Sequence, residues 1–286
     1  MTPRFRWLLG VAVLVVGCGG GRAAHEAATE VVAVRRATLA TDPASAEWAP
    51  VPKFRAVLQV QDMVEPRLLQ ASTPEVQVQA MTDGRRLAFR LEWRDATKND
   101  LPASGLFSDA CAVQLPRATT ADVPAPQMGE ADRPVEITYW RAFWQAVVDG
   151  RPDNINALFP GAAVDHYPFE AASLPKGSPE QQAMAQRYAP ARALENHMAG
   201  PRDKPVEDLI GEGPGTLRPA EVSHSDGRGT RDANGWSVVL SRPLPPGLAP
   251  NTRTQAAFAV WDGEHQEAGA RKMRTIWIPL LMEGER

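Results

Sequence analysis

Side chains that could bind a metal or attack a substrate are few in this sequence, and none stand at a spacing typical of a known site. The 286 residues include two cysteines and five histidines, and no His-x-x-x-His pair occurs. No cysteine pair has zinc or iron–sulfur spacing, and the Cys-x-x-Cys-His sequence of covalent haem attachment is absent. A P-loop and a Gly-x-Ser-x-Gly nucleophile elbow are absent too. A redox function would therefore need a cofactor that is held noncovalently by isolated ligands.

The two cysteines, Cys18 and Cys111, indicate different roles. Cys111 lies in an apolar, strand-like run, where a cysteine is typically a small buried core residue. No histidine or basic residue adjoins it in sequence to activate a thiolate, so a reactive role is the weaker alternative. If Cys18 is lipidated or removed, the chain can form no intramolecular disulfide.

The N-terminus has the pattern of an export signal. Arg4 and Arg6 precede an apolar segment at residues 7–16, which is shorter than the ~20 residues that a transmembrane helix needs. The segment ends at a sequence around Cys18 that is similar to a bacterial lipobox. We therefore predict a signal peptide at residues 1–17, a lipid anchor on Cys18, and a position on the periplasmic side of a membrane. The alternative is an ordinary signal peptide that is cleaved near Ala23.

Composition and hydrophobic patterning favour a β-rich domain. The apolar fraction of 43% is enough for a sizeable core, while 26 prolines and 22 glycines favour turns and short strands over long helices. Residues 76–81 and 87–93 alternate between apolar and polar types on either side of an Asp-Gly turn, which is the pattern of a β-hairpin. Similar segments predict strands at residues 110–115, 135–144, 236–242, 254–261 and 275–282.

These segments predict a mainly β fold, a sandwich of two antiparallel sheets formed by residues 53–286. Residues 18–52 are rich in alanine and are predicted to be a flexible tether. Residues 149–219 interrupt the strand pattern and predict a helical excursion from the sandwich. Within it, Ser178, Pro179 and Glu180 have the order of a helix start, so a helix is predicted from there to about Met198. The net charge of −3 gives no electrostatic surface for nucleic acid.

Five phrases of the sequence, spread in order over roughly residues 50–282, carry a resemblance to a known family. They are residues 107–116; Met128-Gly129 with Pro134-Val135 and Tyr139-Trp140; residues 207–217; residues 236–244; and residues 258–263 with Lys272 and Trp277. Through these phrases the chain resembles the haem b-binding gamma subunit of ethylbenzene dehydrogenase and its relatives in the type II dimethyl sulfoxide reductase family.

The resemblance implies that Met128 and Lys272 are the two axial ligands of one haem iron. Met128 matches because it precedes a glycine and stands ahead of the strand with Pro, Val and aromatic residues. Lys272 matches because it follows Trp-Asp-Gly and a Gly-containing loop, just before the last apolar strand. A thioether raises the potential of the iron, whereas an amine binds iron only after losing its proton. Met273 is a competing ligand, but in a strand it would face the opposite side.

The resemblance also implies pocket walls and an electron-transfer role. Trp140, Trp144, Phe258 and Trp261 are the aromatic residues predicted to line the haem. Electrons would pass from a molybdopterin alpha subunit through an iron–sulfur beta subunit to this haem, and then to a cytochrome or quinone-linked acceptor, or in reverse. The chain would then not be the catalyst of the substrate reaction, and the sequence does not determine that substrate.

Two alternatives remain at this stage. The same sandwich architecture serves exported carbohydrate- or ligand-binding lipoproteins without haem, for which Trp48, Trp93, Trp140 and Trp236 could supply an exposed aromatic platform. A haem-binding lipoprotein that acts alone, as a carrier or sensor, would bind haem but form no stable complex with partners.

Overall fold

The computed structural model describes residues 28–284, apart from residues 102, 154–157, 162–173, 176, 189–190, 192–193, 195 and 199–201. The predicted signal peptide and Cys18 lie outside the described residues. In the part of the chain that is described, no helix is both long and apolar enough to cross a membrane.

Strands dominate the described chain, as the alternating segments predict. Two α-helices accompany them, α1 (Ala142–Val148) and α2 (Pro179–Tyr188), together with a 3-10 turn at Ala46–Trp48. The strands are β1 (Val31–Arg35), β2 (Phe54–Val57), β3 (Gln59–Val60), β4 (Glu75–Thr82), β5 (Arg86–Arg94), β6 (Ala110–Pro116), β7 (Val135–Arg141), β8 (Val206–Gly211), β9 (Arg218–Pro219), β10 (Asp226–Arg231), β11 (Gly235–Pro243), β12 (Arg253–Trp261), β13 (Met273–Arg274) and β14 (Ile278–Met282).

The strands form two packed layers, which confirms the mainly β sandwich. The first sheet has the order β10-β11-β5-β4-β1-β14, and the second has the order β12-β6-β7-β8-β9. Strand β12 joins the layers, because residues 253–256 pair with β14 and residues 257–261 pair with β6. The described pairings are antiparallel except at β1, which runs parallel to both β4 and β14.

The main core lies between the two sheets and is filled by one face of most of the strands. In β6 and β12 the alternation is regular: Cys111, Val113, Phe258 and Val260 face this core. Phe258 packs edge-on against Phe89 of the first sheet, with ring centroids 5.8 Å apart. The prediction that Cys111 is a buried core residue is confirmed, and burial raises the pKa of its thiol.

The predicted tether at residues 18–52 is wrong over its described part. Val31–Arg35 forms a strand inside the first sheet, and Trp48 is only 1% exposed. Gln79 on β4 fixes the following segment, because its amide donates to the carbonyl oxygens of Trp48 and Val51, each at 2.7 Å. The short apolar run in an alanine-rich context concealed this strand, and burial of Trp48 contributes on the order of 2–3 kcal/mol.

The predicted helical excursion at residues 149–219 differs from the structure, because part of this region forms strands. Helix α2 starts at Pro179 as predicted, but it ends at Tyr188, and the described residues 196–198 are not helical. The region also contains β8 and β9, which belong to the second sheet. The strand predicted at residues 135–144 ends at Arg141, where α1 begins.

Candidate cofactor site

A second apolar cluster lies on the outer face of the second sheet. We call it the outer-face cluster. Its floor includes two small side chains that are paired across β6 and β12, since Ala112 lies opposite Ala259. The small side chains project little above the backbone, and the larger members form the borders of the cluster. The members are Ala110, Ala112, Val135, Ile137, Leu209, Ala259 and Trp261, with Met128, Tyr139 and Trp277 packed against them.

Met128 reaches this cluster from a strained turn. Its φ angle is +68°, a left-handed conformation that residues with a Cβ seldom adopt, and Gly129 follows with φ of +78°. The turn is closed by a hydrogen bond of 3.0 Å from the Gly129 amide to the Ala125 carbonyl oxygen. Non-glycine residues persist in this conformation where surrounding structure imposes it, and such positions cluster at functional sites. The backbone therefore fixes where the thioether departs from the chain.

The end of β8 imposes this conformation from the other side. The Gly213 amide donates to the Met128 carbonyl oxygen at 2.9 Å. Gly211 lies against the same carbonyl so closely that a Cβ at Gly211 would stand 2.7 Å from the oxygen. These glycines give a physical reason for the sequence phrase at residues 207–217, since its Gly residues allow the Met128 turn to approach the strand.

We expect Gly211→Ala to displace the Met128 turn, because a backbone oxygen 2.7 Å from the new Cβ must move. Any haem bound through Met128 should show a changed spectrum and an affinity reduced by roughly tenfold or more. Gly161→Ala is the matched control, since no heavy atom of the described residues lies within 4 Å of its added Cβ. Haem titration of both variants makes the comparison, and identical curves would show that the turn does not position a ligand.

The segment before Met128 is fastened to the second sheet by two side-chain hydrogen bonds. The Gln114 amide of β6 donates to the Pro126 carbonyl oxygen at 3.0 Å. The Trp277 indole donates to the Pro124 carbonyl oxygen at 2.7 Å. Trp277 thereby links the chain around Lys272 to the chain around Met128.

Lys272 reaches the outer face through the register of β12 and β13. Ala259 lies opposite Arg274 and Val260 opposite Met273, so the next position of the ladder places Lys272 beside Trp261. The Lys272 ammonium nitrogen is 5.3 Å from the centre of the Trp261 ring. Met273 instead points into the main core and is 1% exposed, as expected for its neighbour on a strand. The register therefore selects Lys272 over Met273 at the outer face.

The electrostatics at Lys272 are unusual for a lysine. Within the described residues, its amine makes no ion pair or hydrogen bond, and its recorded contact is the Trp261 ring. Burial, together with a smaller effect of the positive charge of Arg274, lowers the pKa of Lys272 from 10.5 to about 8. An amine that loses its proton near neutral pH has a free lone pair available to a metal.

The predicted aromatic walls divide between the two faces of the second sheet. Trp261 belongs to the outer-face cluster. Trp140 and Phe258 instead lie in the main core between the sheets, with 0% and 1% exposure, and do not border this cluster. They are strand neighbours of Tyr139 and Ala259, and successive residues of a strand face opposite sides. Trp144 on α1 packs edge-on against Tyr139, with centroids 5.5 Å apart.

The sequence interpretation missed Tyr139 and Trp277 as borders of the site. Tyr139 packs edge-on against Trp261, with ring centroids 5.2 Å apart. Strand parity was the available signal: once Cys111 faces the core, its cross-strand partner Trp140 faces it too, which leaves Tyr139 on the outer face.

The aromatic platform predicted for the ligand-binding alternative is absent from those four positions. Trp48, Trp93, Trp140 and Trp236 are each at most 4% exposed. Trp140 meets Trp93 and Trp236 edge-on, with interplanar angles of 73° and 67°, and is therefore not coplanar with either. Sugar-binding platforms need exposed ring faces, which these residues do not offer.

The fold is a β-sandwich, and the outer face of its second sheet carries an apolar cluster on which Met128 packs and whose Trp261 ring contacts the Lys272 amine. The model of the family described as ethylbenzene dehydrogenase matches residues 45–273, which is most of the chain. The chain belongs to this family.

Three relatives have names that refer to subunits of reductases or dehydrogenases. The chlorate reductase subunit gamma of Ideonella dechloratans is 24% identical over 96% of this chain and 95% of its own length. The dimethylsulfide dehydrogenase subunit gamma of Rhodovulum sulfidophilum is 30% identical over 83% of this chain and 73% of its own length. A Haloferax mediterranei protein described as a respiratory nitrate reductase heme subunit is 26% identical over 82% of this chain. The match spans 66% of that relative's length.

Solved structures with a similar course of the chain are carbohydrate-binding modules. A family 9 module from Caldicellulosiruptor kristjanssonii in complex with glucose has a TM-score of 0.42 and 9% identity, over 90% of this chain and 96% of the module. A likeness at this level carries no information on the ligand.

Proposed function

We propose that this protein is the haem b-containing electron-transfer subunit of a periplasmic molybdenum oxidoreductase complex, with Met128 and Lys272 as the axial ligands of the iron. The observation that carries the proposal is the Lys272 amine, which lacks a polar partner within the described residues and lies at the same apolar cluster as Met128. The names of the relatives, one a heme subunit and two gamma subunits, support the same class of function.

The residues present fit a noncovalent haem in three respects. The alanine floor of the outer-face cluster suits a flat group, and Tyr139, Trp261 and Trp277 supply apolar borders. Met128 offers a neutral thioether from a fixed turn, and Lys272 offers an amine with a pKa lowered to about 8. When bound, haem supplies a reversible one-electron couple between ferric and ferrous iron.

The chain's own contribution is to hold and tune that group. The apolar cluster excludes water, which affects the potential of a buried redox centre. The Trp261 ring orients the Lys272 side chain, and the Trp261 indole itself is fixed by donating to the Gly269 carbonyl oxygen at 3.0 Å. The Met128 turn is fixed by Gly211 and Gly213. Met128 would thus be held by its backbone and Lys272 by the Trp261 ring.

The location and partners belong to the same proposal. We place the mature protein on the periplasmic side of the membrane, anchored by a lipid on Cys18. Its partners would be an iron–sulfur beta subunit and a molybdopterin alpha subunit, with a cytochrome or quinone-linked carrier as the external electron acceptor or donor. Support comes from the gamma-subunit names of the relatives and from the export pattern of residues 1–17.

The decisive experiment is an absorption spectrum of the mature protein produced in the periplasm with haem available, recorded oxidised and after dithionite. We expect low-spin b-type bands, about one haem per chain, and haem that acidic organic solvent extracts because no covalent bond holds it. A folded, colourless protein that does not take up added haem would overturn the proposal. Co-purification with a molybdopterin subunit distinguishes an electron-transfer subunit from a haem carrier that acts alone.

The lowered pKa of Lys272 predicts how haem binding depends on pH. Iron must displace the ammonium proton, so affinity should rise by up to tenfold per pH unit below about 8 and then level off. A lysine with the ordinary pKa of 10.5 would keep this slope to higher pH. Haem titration of the haem-free protein between pH 6 and 10 measures it. Lys272→Met is the control, whose neutral ligand should remove the slope; an equal slope in that variant would contradict the role of Lys272.

A further inference from the structure

Three buried aspartates meet at the end of the sandwich where strands of both sheets begin or end. Asp95 follows β5, Asp109 precedes β6 and Asp262 follows β12. One carboxylate oxygen from each lies within 4.8 Å of the others. Their exposures are 5%, 0% and 9%, so bulk water does not screen the charges.

The hydrogen bonds of these carboxylates leave one oxygen without a partner. Asp109 accepts from the Gly263 amide at 2.9 Å and from the Trp236 indole at 3.0 Å. Asp95 Oδ1 accepts a hydrogen bond from the Thr97 backbone amide at 2.9 Å. Its Oδ2 is buried and accepts no hydrogen bond within the described residues. Asp95 Oδ2 is thus the one oxygen of the three carboxylates that accepts no hydrogen bond from the described residues, since donors engage both oxygens of Asp109 and of Asp262.

The basic side chains that contact these segments do not neutralise the negative charge of three carboxylates. Arg231 donates to the Asp95 backbone carbonyl oxygen at 2.8 Å and not to its carboxylate. His265 contacts Asp262 Oδ2 at 2.8 Å, but this exposed imidazole is charged only when protonated. Glu267 adds a fourth buried carboxyl beside Asp262. Its Oε2 accepts a hydrogen bond from the Asp262 backbone amide at 3.0 Å. A buried group of like charges is unfavourable unless a cation or a proton compensates it.

We propose that Asp95, Asp109 and Asp262 bind a divalent cation, and that the cation is Ca²⁺. The donors are carboxylate oxygens, which bind hard cations more favourably than soft or borderline metals. Oxygens up to 4.8 Å apart can share one Ca²⁺, whose bonds to oxygen are about 2.4 Å long. Mg²⁺ demands shorter bonds and a regular octahedron, which three carboxylates fixed by other hydrogen bonds suit less well.

The cation would tie the two sheets together and fix one end of the Lys272 segment. Asp95 comes from the first sheet, whereas Asp109 and Asp262 come from the second. Asp262 directly follows Trp261, the residue whose ring lies against Lys272. The site is independent of haem, since it uses none of the residues of the outer-face cluster as ligands.

The test is thermal unfolding of the mature protein, with and without bound haem, after chelation and after addition of Ca²⁺ or Mg²⁺. We expect Ca²⁺ at about 100-fold excess over its dissociation constant to raise Tm by roughly 5–10 °C, with a smaller effect of Mg²⁺. Elemental analysis of protein purified without chelator should give about one calcium per chain.

Asp95→Asn tests the assignment with minimal change of shape. Its remaining oxygen can still accept from the Thr97 amide, so the fold should persist, while the response to Ca²⁺ should fall at least tenfold in apparent affinity. Asp208→Asn is the matched control outside the cluster, because Asp208 accepts from the His224 and Ser225 amides instead. That variant should respond to Ca²⁺ as the unchanged protein does.

Two outcomes would overturn the cation site. One is a Tm of the unchanged protein that does not depend on Ca²⁺ or chelator. The other is an equal response to Ca²⁺ in Asp95→Asn and in the unchanged protein. If Asp95→Asn is simply more stable and neither protein responds to Ca²⁺, a proton compensates the cluster; burial raises the pKa of Asp109 to about 7.

Discussion

Lys272→Ala should lose stable haem binding, with an affinity lower by on the order of 100-fold or more. Substitutions around a metal site that leave its ligands intact already cost about 10–100-fold, and loss of a ligand should cost at least as much. The remaining thioether of Met128 is a weak ligand on its own. Haem titration and gel filtration of the loaded protein measure the effect. Full retention with an unchanged low-spin spectrum would remove Lys272 from the site.

Lys272→Arg distinguishes ligation by the amine from a contact made by its positive charge. Arginine keeps the positive charge and can stay over the Trp261 ring, but its guanidinium does not lose its proton in proteins. We expect the same loss of haem as in Lys272→Ala. Lys53→Ala serves as a surface control, since Lys53 is paired with Glu92 on the first sheet. If Lys272→Arg bound haem normally, a charge contact and not ligation would explain the role of Lys272.

Met128→Leu should keep the apolar volume at the site and remove only the sulfur ligand. We expect a five-coordinate or substituted haem and a potential lower by on the order of 100 mV, because axial ligands set haem potentials over a range of about 0.8 V. Spectroelectrochemical titration measures both effects. This substitution adds no backbone strain, since methionine already carries a Cβ at φ of +68°.

Met273→Leu is the matched control for the sulfur. Met273 is adjacent to Lys272 in sequence but lies in the main core, so its loss should leave spectrum and potential unchanged. Exchange of methionine for leucine in a core costs less than about 1.5 kcal/mol. A normal spectrum in Met128→Leu combined with an altered one in Met273→Leu would reverse the assignment.

The strands and their buried faces were predictable, because the alternation of apolar and polar residues within a strand can be read from neighbouring positions alone. The alternation at residues 87–93 predicts β5 and its buried face, and an Asp-Gly turn predicts the hairpin with β4. Strand β1 was not predictable in this way, because its place depends on partners at the opposite end of the chain, at Leu280 and Leu281. Helix α1 was missed since residues 142–144 continue the apolar run of β7.

The site was only partly predictable. Met128 and Lys272 were chosen by resemblance, and their chemistry at this location depends on facts that no local pattern contains. The approach of Gly211 to the Met128 turn and the missing partner of the Lys272 amine both arise from long-range packing. Trp140 and Phe258 were predicted to line the haem, but they face the main core, whereas their strand neighbours Tyr139 and Ala259 lie at the outer-face cluster. The aspartate cluster combines three segments distant in sequence, so composition gave no sign of it.

The pairing of the first described strand with the last has a consequence for the order of assembly. A chain that leaves the membrane from its N-terminus presents β1 first, yet β1 has to wait for β14 before its second edge is paired. The Met128 segment is then available well before the Lys272 segment, which precedes β14 directly. Because pairings of such long sequence separation form slowly, the pocket should close in the final step of folding. Under the proposed function, haem capture would then follow export, and truncation of the C-terminal strand should leave a protein that neither closes its sheet nor retains haem.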